Sequence, residues 1–260
     1  MRAELYIEDL AAHGRNHFTT QEALAASASS PPALRAQLRR LRERGRIARP
    51  MRSFYVIVPP EYRRLGCPPA EYFIDQLMSE LGQPYYVALL SAAERHGAAH
   101  QRPQSLQVMV QTNRPAVECG LVRIEFVARA DLESMPVTTV NTPRGILRYS
   151  TPEVTALELV GYPHQSGGLS NVATVLGELA EAIDPNKLVE AARLSPVSWS
   201  QRLGYLLERV DQPGLAKSLA KFVHMNARSY TPLRRAEGVA GARRDPDWKL
   251  IVNIVVEPDG

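Results

Sequence analysis

Leu34, Leu38 and Leu41 recur at i, i+4 and i+7, the spacing of one apolar stripe along a helix. Ser30 stands where that helix would be capped. Pro31 suits its first position, where a missing N–H goes unmissed, and Gly45 suits its end. At about 100° per residue, Pro32, Arg35, Ala36, Arg39 and Arg40 project from the side opposite the leucines, with Arg42 at its margin. Upstream, Leu5, Leu10 and Ala11 give segment 3–13 helical spacing, with Gly14 placed to end it. Thr19 followed three residues later by Glu22 forms a capping box that opens a short helix over about Thr20–Ala26. Ser27-Ala28-Ser29-Ser30 then reads as a turn. After Gly45 the period changes to that of strands, in Ile47-Ala48-Arg49 and Phe54–Val58, joined through Pro50-Met51-Arg52-Ser53. Short helix, turn, longer basic helix and hairpin are the parts of a winged helix-turn-helix, whose second helix enters the major groove.

Beyond the wing the alternation is less regular. Pro59-Pro60 begins a connection running to Pro68-Pro69, which reads as a hinge between domains at 1–62 and 63–260. Helices are expected over Ala70–Leu81 and Tyr85–His96. Segments 105–112, 121–129 and 145–149 read as strands, with turns at Asn113-Arg114-Pro115 and Thr142-Pro143-Arg144-Gly145. Ser150-Thr151-Pro152-Glu153 reads as a second capping box, with Ser150 and Glu153 as its partners. Four further helices follow: 169–182, one capped by Asp184-Pro185, one from Ser198, and 214–225. Trp248–Val256 is an apolar strand expected to return to the sheet for burial. The fold class is α+β, a winged helix-turn-helix followed by a larger domain of mixed sheet and helix bundle.

Charge sharpens this picture. The 260 residues are 45% hydrophobic and 22% charged, ordinary values for a packed protein, and the net charge is only +4. Residues 1–64, however, hold 12 Arg against 6 Asp or Glu, a net of +6, and the remainder is net −2. Between Ser30 and Arg52, Arg35, Arg39, Arg40, Arg42, Arg44, Arg46, Arg49 and Arg52 face Glu43 alone. Such density in a folded segment is self-repulsive unless a polyanion neutralises it, as duplex DNA does. The residues expected to meet DNA are Thr20, Ser30, Pro32, Arg35, Ala36, Arg39, Arg40, Arg42 and Arg46, together with Arg49 and Arg52 on the wing. Glu4, Glu8 and Asp9 occupy the stretch that a signal peptide would need apolar, and no run of about 18 apolar residues exists. The expectation is a soluble, cytoplasmic protein with no membrane partner.

Signatures of catalysis are weak. Gly167-Gly168 lacks the Lys-Ser/Thr of a phosphate loop, and Ser166 lacks the flanking glycines of a nucleophile elbow. His96 and His100 have helical ligand spacing, but Gly97 lies between them and no third ligand is apparent. Asp247-Trp248-Lys249 resembles half of a nuclease motif without a partner acid on a preceding strand. Two cysteines, Cys67 and Cys119, are too few for a disulfide scaffold or a paired-cysteine zinc site. Neither enzymatic activity nor a cofactor or metal is expected.

The chain resembles the AbiEi-type antitoxins of type IV toxin–antitoxin (abortive infection) systems. The resemblance is carried by the winged helix, by Tyr85-Tyr86-Val87-Ala88-Leu89-Leu90-Ser91-Ala92-Ala93-Glu94-Arg95-His96-Gly97 with Gln101-Arg102-Pro103, and by Ser150-Thr151-Pro152-Glu153. Gly167-Gly168-Leu169, Gln201-Arg202-Leu203-Gly204-Tyr205-Leu206-Leu207 and Trp248-Lys249-Leu250-Ile251-Val252-Asn253 extend it over most of the length. It implies that the N-terminal domain binds inverted repeats in its own promoter and represses a two-gene operon. It also implies that the C-terminal domain counteracts a cognate toxin resembling nucleotidyltransferases, and that the protein is not itself an enzyme. In some family members a positive C-terminal surface aids DNA binding. Here that part is net acidic, with Arg234-Arg235 and Arg243-Arg244 as its local basic pairs. Composition and motifs also fit an alternative, a ligand-sensing winged-helix regulator without a toxin partner.

Overall fold

In the computed structural model, which describes residues 2–98, 103–142 and 145–258, the leucine stripe is the backbone of the first core. Leu34, Leu38 and Leu41 are buried with Ala3, Tyr6, Ile7, Leu10, Phe18 and Ile47. The chain folds as two compact units: Met1–Tyr86 with Gln104–Leu132 and Thr139–Arg148, and Val87–Pro103 with Glu133–Thr138 and Tyr149–Gly260.

The first unit opens with helix α1 (Ala3–Ala12), strand β1 (His17–Thr19), helix α2 (Thr20–Ala26) and helix α3 (Pro31–Glu43). Strands β2 (Ile47–Met51) and β3 (Phe54–Ile57) form the wing. The expected capping box closes: Glu22 N donates to Thr19 Oγ1 at 3.2 Å and Thr19 N donates to Glu22 Oε2 at 2.7 Å. Ser30 holds the N-cap backbone conformation of α3, but its side chain makes no capping bond, contrary to expectation. Strand β1 was not legible in the sequence. It pairs antiparallel with β3, giving a sheet of order β1-β3-β2. Phe18 on β1 stacks on Tyr55 and meets Tyr6 edge-on, so this three-residue strand joins wing to helices.

The connection expected as a hinge is tied down. Asn16 Nδ2 donates to Tyr72 O at 2.7 Å, and Cys67 is fully buried. The Cys67 thiol donates to Cys119 and is buried beside it, which pushes its pKa far up. Helix α4 (Ile74–Glu80) is shorter than expected, because residues 70–72 form a 3-10 turn. Tyr85–Val87, expected as helix, is instead strand β4, buried at all three positions. Strands β5 (Leu106–Val110), β6 (Val117–Cys119), β7 (Val122–Ala128), β8 (Val137–Thr142) and β9 (Gly145–Ser150) complete a six-stranded sheet of order β6-β7-β5-β4-β9-β8. Of the turn expected at 142–145, Pro143 and Arg144 lie outside the described residues.

Six helices dominate the second unit: α5 (Leu89–Arg95), α6 (Pro152–Gly161), α7 (Gly168–Leu179), α8 (Pro185–Arg193), α9 (Val197–Arg209) and α10 (Pro213–Asn226). The cap of α6 differs from expectation. Pro152 takes the first helical position, so Thr151 is the N-cap and accepts from Val154 N at 3.4 Å. Ser150 hydrogen-bonds Thr155 instead, and Glu153 accepts from Asp184 N at 3.0 Å. Asp184 caps α8 as expected, accepting from Asn186 N and Lys187 N. The C-terminal strand does not return to the large sheet. It is the short β12 (Leu250–Val252), paired with β10 (Thr231–Pro232) and β11 (Arg243–Asp245) in a separate three-stranded sheet. Helix α9 braces the turn just before it, where the Gln201 amide donates to the carbonyls of Trp248 and Lys249.

Two side chains make the winged helix sensitive to acid. Burial, followed by the charge of Arg15, pushes the His17 imidazole below its ordinary value of 6.5. Burial raises the Glu22 carboxyl, but the Arg15 hydrogen bond, the Thr19 backbone N–H and the Arg15 charge outweigh it and hold the group below its ordinary 4.5. In both cases the unfolded chain binds the proton first, so stability present above the ordinary value is lost as pH falls through the folded one. Melting followed against pH is expected to show two losses on acidification, one starting below 6.5 and one below 4.5. His17→Gln should remove the first and Glu22→Gln the second.

Candidate nucleic-acid interface

Packing of the leucine stripe fixes which side of α3 faces water. Arg35, Arg39 and Arg40 are exposed on the far side, as is Pro32, with Ala36 half-buried among them and Arg42 exposed at the helix end. Ser30 is exposed at the N-terminus of the same helix, its hydroxyl unused by the cap. The helix ends in Arg40 and Arg42, cations at the end where the backbone dipole is negative. Gly45, at φ +63°, then turns the chain into β2.

The wing adds two more arginines. Ile47, Ala48 and Pro50 of β2 are buried, and Arg49 is its exposed residue. Arg52 and Ser53 form the exposed tip, with Ser53 in the left-handed region at φ 69°. Thr20 N donates to Ser53 O at 2.9 Å, so the first residue of α2 and the wing tip are held as one piece. On the other flank, Arg49 N donates to the Cys119 thiol. That bond and the charge of Arg42 join the Cys67 hydrogen bond in lowering the Cys119 pKa against its burial.

The arginines differ in what engages them. Arg46 reaches Glu4 at 3.4 Å and Glu8 at 3.2 Å, tying the start of the wing back to α1. Arg39 lies 3.7 Å from Glu43 one turn on, with both side chains about two-thirds exposed. A pair that open to water contributes little and yields readily to a phosphate. Arg35, Arg40, Arg42, Arg49 and Arg52 pair with no carboxylate among the described residues. Arg44 shares that state and its exposure, although the helical projection does not single it out. Unpaired guanidinium groups on one helix and the adjoining hairpin form a face suited to bidentate contact with phosphates and guanine edges.

The weak catalytic motifs resolve into structural roles. His96 hydrogen-bonds Ser150 O at 2.7 Å just after α5, and His100 lies outside the described residues, as do Gln101 and Arg102. Trp248 is buried, Lys249 Nζ donates to Ala227 O, and Asp245 accepts from Trp248 N, so residues 245–249 form a braced turn. Among the described residues no group of three or more His, Cys, Asp or Glu is arranged to hold a metal. No helix among them is long and apolar enough to cross a membrane.

Comparison with known proteins bears on both parts of the chain. Residues 6–58 match the family model described as a transcriptional regulator, AbiEi antitoxin, and residues 86–209 match that of the AbiEi antitoxin C-terminal domain. No curated protein matches the sequence. Among solved structures, the crystal structure of the RV2827C protein from Mycobacterium tuberculosis superposes with a TM-score of 0.69 at 17% identity, covering 95% of this chain and 90% of that one. That likeness establishes a shared fold. An antigenic nucleotidyltransferase-like protein from Paracoccidioides brasiliensis aligns at a TM-score of 0.36 and 14% identity, over 57% of this chain and 89% of its own. A score that low supports no argument.

Proposed function

The chain belongs to the AbiEi antitoxin family, and from that premise we propose that it is a DNA-binding autorepressor of its own operon that counteracts a nucleotidyltransferase-like toxin. The DNA-binding part in this reading is residues 1–62, and residues 63–260 carry the antitoxin function. The protein acts in the cytoplasm and catalyses no reaction itself. One observation carries the DNA half: the buried leucine stripe of α3 leaves Arg35, Arg39, Arg40 and Arg42 exposed together. Duplex DNA, with its inverted promoter repeats, is the polyanion that such a face recognises. Thr20, Ser30, Pro32, Ala36, Arg46, Arg49 and Arg52 border this face in the proposal, with Arg46 also paired to Glu4 and Glu8.

The toxin half rests on family membership and is tested genetically. Expressing the adjacent operon gene alone is expected to arrest growth, and co-expressing this chain is expected to restore it. Growth arrest that persists despite the folded chain would refute the antitoxin role and leave a regulator that lacks a toxin partner.

A further inference from the structure

A cavity of about 1080 Å³ opens in the second unit. Part of its wall is the N-terminus of α7, where Gly167 and Gly168 adopt φ +75° and +92°. Gly167 is the N-cap, so no side chain caps the helix. A Cβ on Gly168 would meet nothing within 4 Å, so the backbone there lies open. Gly168 N donates to Pro163 O at 2.7 Å, and no side chain caps the N–H groups that follow it in the first turn of this 12-residue helix.

The second observation is independent of the helix. Arg202 lines the same cavity and is only 4% exposed. Its Nε and one terminal nitrogen donate to the carbonyls of Pro232 and Leu233, which fixes the guanidinium in place. Among the described residues the other terminal nitrogen has no hydrogen-bond partner, and no carboxylate pairs with the group. Burial, and then the nearby charge of Arg235, pull Arg202 down to about 10, which still leaves it charged at neutral pH. Arg235 also lines the cavity, and among the described residues no Asp or Glu does. Arg234 at the rim is engaged by Glu237 at 3.5 Å. A buried cation with a second cation beside it and no counter-charge is a costly arrangement unless an anion binds between them. The lining also includes apolar side chains, among them Val160, Leu169, Leu233 and Ile254.

We propose that this cavity is a binding site for a small phosphorylated ligand of nucleotide size, its phosphate held between Arg202, Arg235 and the N-terminus of α7 and its body against the apolar side chains. This does not depend on the winged helix binding DNA. It gives the protein a second, metabolite-sized input.

The test is calorimetric titration of the full chain with inorganic phosphate, the four ribonucleoside 5′-monophosphates, and the matching nucleosides. Saturable binding of at least one monophosphate, competed by inorganic phosphate and absent for its nucleoside, is expected. Arg235 is exposed, so Arg235→Glu should fold normally and weaken binding about tenfold or more, the loss of one charge-assisted contact. Arg202→Gln should weaken it at least as much. If that variant fails to fold, Arg235→Glu decides alone. The proposal is overturned if neither phosphate nor any monophosphate binds, or if Arg235→Glu binds as well as the native chain. It is also overturned if the arginine changes weaken promoter DNA binding while no small phosphate is bound.

Discussion

Replacing Arg35 and Arg39 together by alanine is expected to reduce affinity for promoter DNA about a hundredfold or more, with the fold intact. Both side chains are exposed, and neither contributes to the core beneath α3, where the leucines do the packing. Alanine is also the best helix former, so the helix should not weaken. The Arg39–Glu43 pair is too solvated for its loss to matter much to stability. Each phosphate contact removed also releases one fewer counterion. The log–log slope of affinity against salt should therefore flatten by about two units if both arginines grip phosphate. Fluorescence anisotropy on a labelled promoter duplex, repeated across salt concentrations, reads both quantities. Arg193→Ala with Arg228→Ala removes the same charge from exposed positions in the second unit and should change neither. If the two double variants behave alike, net charge and not the α3 face holds the DNA, and the proposed recognition helix is wrong.

What the sequence made legible follows the range of the forces involved. Capping and helical stripes are local, and residues within four positions decide them, so α2 with its Thr19–Glu22 box and α3 with its leucines could be read directly. Strands are decided by partners far away in sequence. The three residues of β1 have too little length to show a period, and their partner β3 lies some forty positions on. Tyr85-Tyr86-Val87 runs into Ala88-Leu89-Leu90 without a break, and a continuous apolar run does not distinguish buried strand from buried helix. At Ser150–Glu153 the box pattern misled because Pro152 fixes the first helical position and moves the cap to Thr151. The arginine face could be read as a cluster, but not which member was engaged elsewhere. The pairing of Arg46 with Glu4 and Glu8 spans about forty residues and appears only once α1 packs beside the wing. Gly167-Gly168 stands out in the sequence as a glycine pair, whereas Arg202 and Arg235 come to it through packing alone.

Gly204→Ala is expected to produce the largest loss of stability. On α9, Gly204 lies against the Trp248 ring so closely that an added Cβ would stand 1.9 Å from Cζ3 and 2.1 Å from Cη2. Neither side can yield easily. Trp248 is 1% exposed, and Leu203, Leu206 and Leu207 on the same helix are fully buried. The Gln201 amide and the Arg202 guanidinium lock α9 to the carbonyls of Trp248, Lys249, Pro232 and Leu233, which prevents the helix from sliding away. Overpacking of this kind costs about 3 kcal/mol or more. The higher helix propensity of alanine offsets only about 1 kcal/mol. The melting temperature should fall by roughly 5–10 °C, as read by calorimetry. Adding Trp248→Leu to Gly204→Ala makes room for the methyl group, so the double variant should lose less than the two single losses combined. Simple additivity, or a Gly204→Ala protein that melts like the native one, would mean that the ring does not rest on the helix backbone.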